Sequence, residues 1–146
     1  VTADAVVVCR GHVLMVQRKA QPGRGLYALP GGFIKTSESI QRSMIRELVE
    51  ETRIKVDNSD LIKSIKRSHV FDHPERSSRG RTITHAHYFD LAEAAFPHVQ
   101  ADDDAAQVLW VPIEQLARLE EAFFEDHFHM LDHFFGLTGM DGLLLP

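Results

Sequence analysis

Apolar residues in the first part of the chain form two strand-like runs followed by one helical pattern. Residues 1–9 and 13–19 are rich in aliphatic side chains and are separated by a glycine-containing tripeptide, which predicts a β-hairpin. A short strand is expected over 27–30, immediately before a pair of glycines. Thr36 or Ser37 is expected to cap the helix that follows. The predicted apolar face of that helix consists of Ile40, Met44, Ile45, Leu48 and Val49.

The second part of the chain alternates further strand patterns with two helical ones. Strands are expected over 61–71, 81–91 and 107–111, separated by polar loops. Pro112 is expected to open a short helix, because proline is tolerated in the first turn. A final helix is expected over 124–135, with a buried face formed by Phe124, Phe128, Leu131 and Phe135. Strands interleaved with a few helices predict an α/β fold, an α/β/α sandwich on a mixed β-sheet.

Three glutamates on the predicted central helix are the leading candidates for a functional site. Glu47, Glu50 and Glu51 share a stripe about 100° wide, where their charges repel one another. A hard cation with oxygen ligands would turn this repulsion into a binding site; Mg²⁺ is preferred, with Mn²⁺ as a substitute. Arg46 is expected to brace Glu50 four residues later, and the Gly31-Gly32 backbone can approach a ligand closely. The spacing therefore predicts a divalent-metal site used in phosphate chemistry.

Length, net charge and cysteine content limit the expected number of domains, the expected partners and the expected compartment. The length of 146 residues fits one domain over 1–146 with a sizeable core. The net charge of −5 argues against nucleic acid or an anionic membrane as a partner, and it requires a metal to bridge the protein to phosphates. Cys9 is the only cysteine, so a reducing cytoplasm is expected. The start at Val1 suggests either a domain excised from a longer polypeptide or a trimmed terminus.

Residues 32–54 resemble the signature of the Nudix hydrolase family, G-x5-E-x7-R-E-U-x-E-E-x-G-U, where U is aliphatic. The one departure is Arg53, which replaces a glycine that ends the helix in the family. The resemblance implies that the three glutamates bind the metal, together with a backbone carbonyl of Gly31-Gly32. Glu38, more than one turn upstream, is expected either to orient Arg46 or to support the metal ligands. The matching positions are Gly32, Glu38, Arg46, Glu47, Leu48, Glu50, Glu51 and Ile54.

Motifs outside this signature resemble a narrower group. Segments 31–35, 68–89 and 123–128 are similar to the Nudix domain of bifunctional nicotinamide mononucleotide adenylyltransferase/ADP-ribose pyrophosphatases. This resemblance implies a small nucleotide substrate, ADP-ribose, cut to AMP and ribose 5-phosphate. A fused adenylyltransferase domain and a homodimer are left open. The alternatives are a Nudix hydrolase of another nucleoside diphosphate derivative or an oxidised nucleotide, and a non-catalytic ADP-ribose-sensing domain.

The remaining candidates surround the predicted metal site. Arginines 76, 79 and 81 lie in a polar loop that is expected to clamp phosphates or ribose, the alternative being a solvated turn. Tyr27 and Phe33 flank the glycine pair and could stack on a base, although core packing is favoured for Phe33. The full set of candidates for substrate binding is Arg18, Tyr27, Gly31, Gly32, Phe33, Arg79 and Arg81.

Two further patterns carry weaker predictions. Asp103 and Asp104, in an acidic loop, are candidates for the general base or a further metal ligand. The alternative is that they belong to a polar turn with no role in the site. His129 and His133 have a zinc-like spacing of four residues, but they are interpreted as solvated histidines at a helix end.

Overall fold

The computed structural model describes residues 1–138, which form seven strands, three α-helices and one 3₁₀ helix. The helices are α1 (Ile40–Thr52), α2 (Asn58–Lys63), a 3₁₀ helix (Ile113–Ala122) and α3 (His127–Phe135). The strands are β1 (Thr2–Cys9), β2 (His12–Arg18), β3 (Tyr27–Ala28), β4 (Gly31–Phe33), β5 (Ile65–Phe71), β6 (Thr84–Leu91) and β7 (Ala105–Pro112).

The strands form one mixed sheet with the order β3-β2-β1-β6-β5. Strand β1 runs parallel to β6 and antiparallel to β2 and β4, while β7 pairs antiparallel with β2. The pairing of Asp4 with Gly31 and of Ala3 with Gly32 places the glycine pair of β4 beside the central strand β1. The predicted hairpin and the mixed α/β fold are therefore confirmed.

Strand β1 separates two hydrophobic clusters because its side chains alternate between the faces of the sheet. Val6 and Val8 pack with α3 and the 3₁₀ helix, whereas Ala5 and Val7 pack with α1 and α2. All eight residues of β1 are buried. On α1, Leu48 is fully buried, and burial of a side chain of this size stabilises the fold by about 1.5–3 kcal/mol. This arrangement is the predicted sandwich of helices on both faces of the sheet.

The ends of α1 differ from the sequence prediction. The N-cap is Ser39, whose Oγ accepts from the backbone N–H of Arg42 at 3.2 Å, so the choice of Thr36 or Ser37 was wrong. Arg53 adopts a left-handed conformation with φ of 49° and donates its N–H to the carbonyl of Val49. The C-terminal cap therefore forms without the family's glycine.

The bounds of other elements also differ from those predicted from the sequence. The predicted strand over 61–71 was wrong in its first part, since α2 ends at Lys63 and β5 begins at Ile65. Helix α3 begins at His127 instead of residue 124. Its buried stripe consists of His127, Met130, Leu131 and Phe134, whereas Phe128 and Phe135 are half-buried. Phe124 precedes the helix and packs in a separate small cluster. No helix within residues 1–138 is long and apolar enough to cross a bilayer.

Candidate active site

Two glutamates of α1 lie against the glycine pair. The backbone N–H of Gly31 donates to Oε2 of Glu51 at 3.1 Å. A Cβ atom added to Gly32 would lie 2.8 Å from the carboxyl carbon of Glu47, so only glycine leaves room for this carboxylate. The two glutamates are one helical turn apart and face the same strand, β4. The sequence prediction that the acidic stripe meets the glycine pair therefore agrees with the structure for these two residues.

The carboxyl group of Glu51 lies in an unfavourable environment for its charge. Burial raises the pKa of Glu51 to about 8, and the nearby carboxylates of Glu47, Asp4 and Asp102 add to the rise, while the Gly31 N–H partly opposes it. Acidic oxygens that repel one another around a glycine cradle fit a hard divalent cation, which would neutralise them. The residues present therefore fit the metal that the sequence predicts.

Arg46 holds the acidic side of α1 together. Its Nε donates to Glu38 at 2.9 Å, and its Nη1 donates to Glu47 at 3.0 Å and to Glu50 at 3.4 Å. Ser43 also donates to Glu38, at 3.0 Å. Burial raises the pKa of Glu38, but the hydrogen bonds from Arg46 and Ser43 outweigh this effect and the net shift is downward. The structure thus brings Arg46 and Glu38 together as predicted.

Glu50 shares Nη1 of Arg46 with Glu47 but is much more exposed than Glu47. Its side chain is 58% exposed, and it lies on the outer surface of α1 rather than beside the glycine pair. Within residues 1–138, no three acidic, histidine or cysteine side chains lie close enough together to hold one metal ion as they stand. The role of Glu50 as a third ligand stays a prediction.

A cavity of about 90 Å³ opens beside Glu51 and the glycine pair. Arginine and phenylalanine side chains alternate along its wall. The guanidinium of Arg18 lies 4.1 Å from the ring centre of Phe124, and that of Arg79 lies 5.4 Å from Phe124 and 5.7 Å from Phe33. A neighbouring cavity of about 250 Å³ shares Arg18 and Glu51 with the first.

The arginines of the polar loop are held by acids that precede or begin α3. Arg76 is buried and makes two hydrogen bonds to Asp126, at 2.9 and 2.8 Å. Arg79 pairs with Glu125 at 3.2 Å. Arg81 donates to the carbonyl of Asp72 and does not line the cavity. The loop is therefore fixed to the rest of the domain by two ion pairs, and of its three arginines Arg76 and Arg79 line the cavity while Arg81 does not.

Some of the remaining candidate residues line the two cavities, and others lie outside them. Tyr27 packs on the hydrophobic core near Phe123 and does not line the cavity. Phe33 is 57% exposed at the cavity rim, so the favoured interpretation of core packing was wrong. Asp104 lines the cavity shared with Glu51, whereas Asp103 is exposed and lies outside both cavities. The solvated histidines 129 and 133 are exposed on α3.

Sequence reasoning missed several polar residues of the site. Asp4 is buried in the cavity wall and accepts a hydrogen bond from Thr84. Burial raises its pKa to about 6, although the hydrogen bond from Thr84 opposes the rise. His127 also lines the cavity, and Asp102 approaches Glu51. An acid inside the otherwise apolar run of β1 was the available signal for Asp4, and the F-F-E-D-H-F segment was the signal for His127.

Comparisons with known proteins support the predicted resemblance. An ADP-ribose pyrophosphatase of Methanocaldococcus jannaschii is 29% identical over 119 residues, which cover 82% of this chain and 65% of that protein. A bifunctional NMN adenylyltransferase/ADP ribose pyrophosphatase from Francisella tularensis, complexed with AMP and a Mn ion, superposes with a TM-score of 0.86. It is 42% identical, and the match covers 89% of this chain and 39% of that one. The chain thus spans less than two thirds of either relative.

A third similar structure is the NUDIX domain of Shewanella oneidensis NrtR, complexed with ADP ribose. Its TM-score is 0.71 at 27% identity, over 90% of this chain and 82% of that one. The sequence model of the NUDIX domain matches residues 1–134. This match covers the strand β1, the acidic helix α1 and the arginine loop, so the site described above lies within it. The chain belongs to the NUDIX domain family.

Proposed function

We propose that this domain hydrolyses the pyrophosphate bond of ADP-ribose in a Mg²⁺-dependent reaction that yields AMP and ribose 5-phosphate. The observation that carries the proposal is the position of Glu47 and Glu51, which border the glycine pair at the edge of a cavity with an arginine-rich wall. Acids for a metal and cations for phosphates are the two requirements of pyrophosphate hydrolysis. The similarity to proteins named ADP-ribose pyrophosphatase supports the choice of substrate.

The metal would be held by Glu47 and Glu51, with a backbone carbonyl of Gly31-Gly32 and, as a prediction, Glu50. When bound, Mg²⁺ or Mn²⁺ supplies charge neutralisation at the pyrophosphate and a more acidic bound water. Arg46 keeps Glu47 in place through the bond to its Oε1. The N–H of Gly31 does the same for Glu51. These contacts fix the acidic oxygens before substrate arrives, so little reorganisation is needed.

The cavity wall is proposed to bind the rest of the substrate. Arg18 and Arg79 present guanidinium groups that can bind phosphate oxygens. The exposed ring of Phe33 offers a face on which the adenine can stack. Asp104 lines the same cavity as Glu51 and is the retained candidate for a general base from the acidic loop. Action in the cytoplasm, a homodimer and a fused adenylyltransferase domain remain predictions of the sequence.

A second candidate function is binding of ADP-ribose without cleavage. The NrtR NUDIX domain that was solved with ADP ribose favours it, because its fold matches this chain closely. The glutamates of the signature are all present here, and they have no evident use in a domain that only binds. Turnover therefore separates the two candidates.

The experiment is a substrate panel with and without Mg²⁺. ADP-ribose, other nucleoside diphosphate derivatives and oxidised nucleoside triphosphates are incubated with the domain, and products are separated by chromatography. We expect AMP from ADP-ribose only when Mg²⁺ is present. A triphosphate that is cleaved better than ADP-ribose, or binding of ADP-ribose without products, would contradict the proposal. With ¹⁸O-water, the label should appear on a phosphate product; label on the ribose would contradict attack at phosphorus.

A further inference from the structure

In the segment Phe124–His127, the first and last residues line the cavity, and Glu125 and Asp126 bind two arginines of its wall. The first three residues hold the arginines described above. His127, the fourth, contacts no arginine through a hydrogen bond, and the proposed hydrolysis does not yet use it. It is only 6% exposed, and it lines the cavity. A buried polar ring at a substrate cavity needs hydrogen-bond partners.

One ring nitrogen of His127 has a partner on a distant part of the chain. The backbone N–H of Leu29 donates to Nδ1 at 2.9 Å, across 98 positions of sequence. Since Nδ1 accepts this bond, the proton of the neutral ring must be on Nε2. Burial lowers the pKa of His127 to about 3, and the charges of Arg76, Arg18 and Arg79 add to this effect, so the ring stays neutral. The bond from Leu29 is the one side-chain hydrogen bond that His127 makes within residues 1–138, and the ring lines the cavity, so Nε2–H can serve a group bound there.

The bond to Leu29 also reaches the predicted metal site. Leu29 is followed by Pro30 and then by Gly31, whose N–H binds Glu51. Proline has a fixed φ, so it couples the orientation of Leu29 to that of Gly31. A change at His127 would thus move the segment Leu29–Gly32.

Resting on the proposed function, we propose that His127 has two roles. Its Nδ1 positions the segment Leu29–Gly32, and its Nε2–H donates a hydrogen bond to a phosphate oxygen of the substrate. The three guanidinium groups around the ring favour an anionic oxygen as the acceptor. The positioning group is therefore Nδ1 and the donor is Nε2–H, both on the same neutral imidazole ring.

The two roles are separated by two substitutions in the 146-residue chain. In His127→Asn, the amide oxygen replaces Nδ1 as an acceptor for Leu29, but the Nε2 donor is lost. His127→Leu removes both groups, and His98→Asn is the control at an exposed histidine outside the cavity. We expect His127→Asn to raise KM for ADP-ribose about tenfold with little change in kcat. His127→Leu should also lower kcat about tenfold or more. An unchanged KM in His127→Asn, or equal losses of kcat in both variants, would overturn the proposal.

Nuclear magnetic resonance tests the same roles without turnover. With ¹⁵N-labelled histidine, we expect the neutral Nε2–H tautomer of His127 from pH 5 to 8 and a shift of its Nε2 signal on addition of AMP. The amide proton of Leu29 should exchange faster in His127→Leu but not in His127→Asn. A cationic or Nδ1–H ring, an Nε2 signal unmoved by AMP, or an unaffected Leu29 amide would reject the corresponding role. If the wild type gives no products from ADP-ribose, the proposed function fails, and these spectra still decide the roles of His127.

Discussion

The carboxylate of Glu47 occupies the space that a side chain on Gly32 would need. An added Cβ would lie 2.8 Å from the carboxyl carbon and 2.9 Å from both carboxyl oxygens of Glu47. Gly31 lies against strand β1, since an added Cβ would overlap the carbonyl oxygen of Ala3 and would lie 2.5 Å from Oδ1 of Asp4. Gly32 is therefore required to leave room for a carboxylate of the site, whereas Gly31 is required first for the pairing of β4 with β1.

Replacing each glycine by alanine should separate these reasons. In Gly32→Ala the flexible carboxylate of Glu47 can move away, so the fold should persist while activity falls about 100-fold, as expected for a displacement of about 1 Å at a reacting centre. In Gly31→Ala the strand backbone must move, which should lower the free energy of unfolding by about 1–3 kcal/mol. Thermal unfolding and kcat/KM for ADP-ribose distinguish the two effects. A fully active Gly32→Ala variant would show that the close contact has no functional role.

Removal of the charge on Glu47 tests the metal assignment. Glu47→Gln keeps the shape of the side chain and can still accept from Arg46, so the stability should change little. Activity should fall by about 100-fold or more, because even residues that only support metal ligands cost 10–100-fold when changed. Glu121→Gln, at an exposed glutamate, is the matched control. Wild-type turnover by Glu47→Gln at the same Mg²⁺ concentration would show that the ligand assignment is wrong.

The sequence predicted the local part of this site and missed the long-range part. The side-by-side position of Glu47 and Glu51 follows from helical spacing, and so does the bond from Arg46 to Glu50. The higher exposure of Glu50 depends on how α1 rotates against β4, which one helix's own periodicity does not encode. Asp4 reaches the cavity only because β1 pairs with β4.

Short elements and long-range buried hydrogen bonds also could not be predicted from the sequence. The six residues of α2 are too few to show a helical period, so their apolar content was interpreted as strand. The bond between Leu29 and His127 joins residues 98 positions apart, and only the docking of α3 on the sheet brings them together. The phenylalanine pattern over 124–135 gave the helix but the wrong buried stripe, because Phe124 leaves the helix to pack beside Arg18.

The two arginines at positions 79 and 81 provide a matched test of substrate binding. Arg79 lies over the rings of Phe33 and Phe124 in the cavity, whereas Arg81 binds a backbone carbonyl outside it. Arg79→Lys keeps the charge but loses the planar stack, so KM for ADP-ribose should rise about tenfold. Arg81→Lys should leave KM unchanged. The prediction is contradicted if the two variants show the same KM, or if Arg81→Lys has the larger effect.

The raised pKa of Glu51 predicts a stability that falls with pH when no metal is bound. The folded-state pKa is about 8, against an ordinary value of 4.5, so between these values the folded protein holds a proton that the unfolded chain lacks. Stability is then lost as the pH rises from 4.5 to 8, by at most about 1.4 kcal/mol per pH unit for one proton. In the window from pH 6.5 to 8, Glu51 is isolated by comparison with a variant that lacks its carboxyl group, because other groups that titrate there, such as His127 with its ordinary pKa of 6.5 in the unfolded chain, are common to both proteins.

Denaturant unfolding in the presence of a chelator measures this dependence. From pH 6.5 to 8, the free energy of unfolding of the wild type should decline relative to that of Glu51→Gln, which has no carboxyl group to titrate. Added Mg²⁺ should reduce the decline, because a cation stabilises the ionised form of Glu51. Parallel curves for the two proteins in chelator would mean that Glu51 is already ionised near neutral pH, so that burial and its acidic neighbours do not hold a proton there.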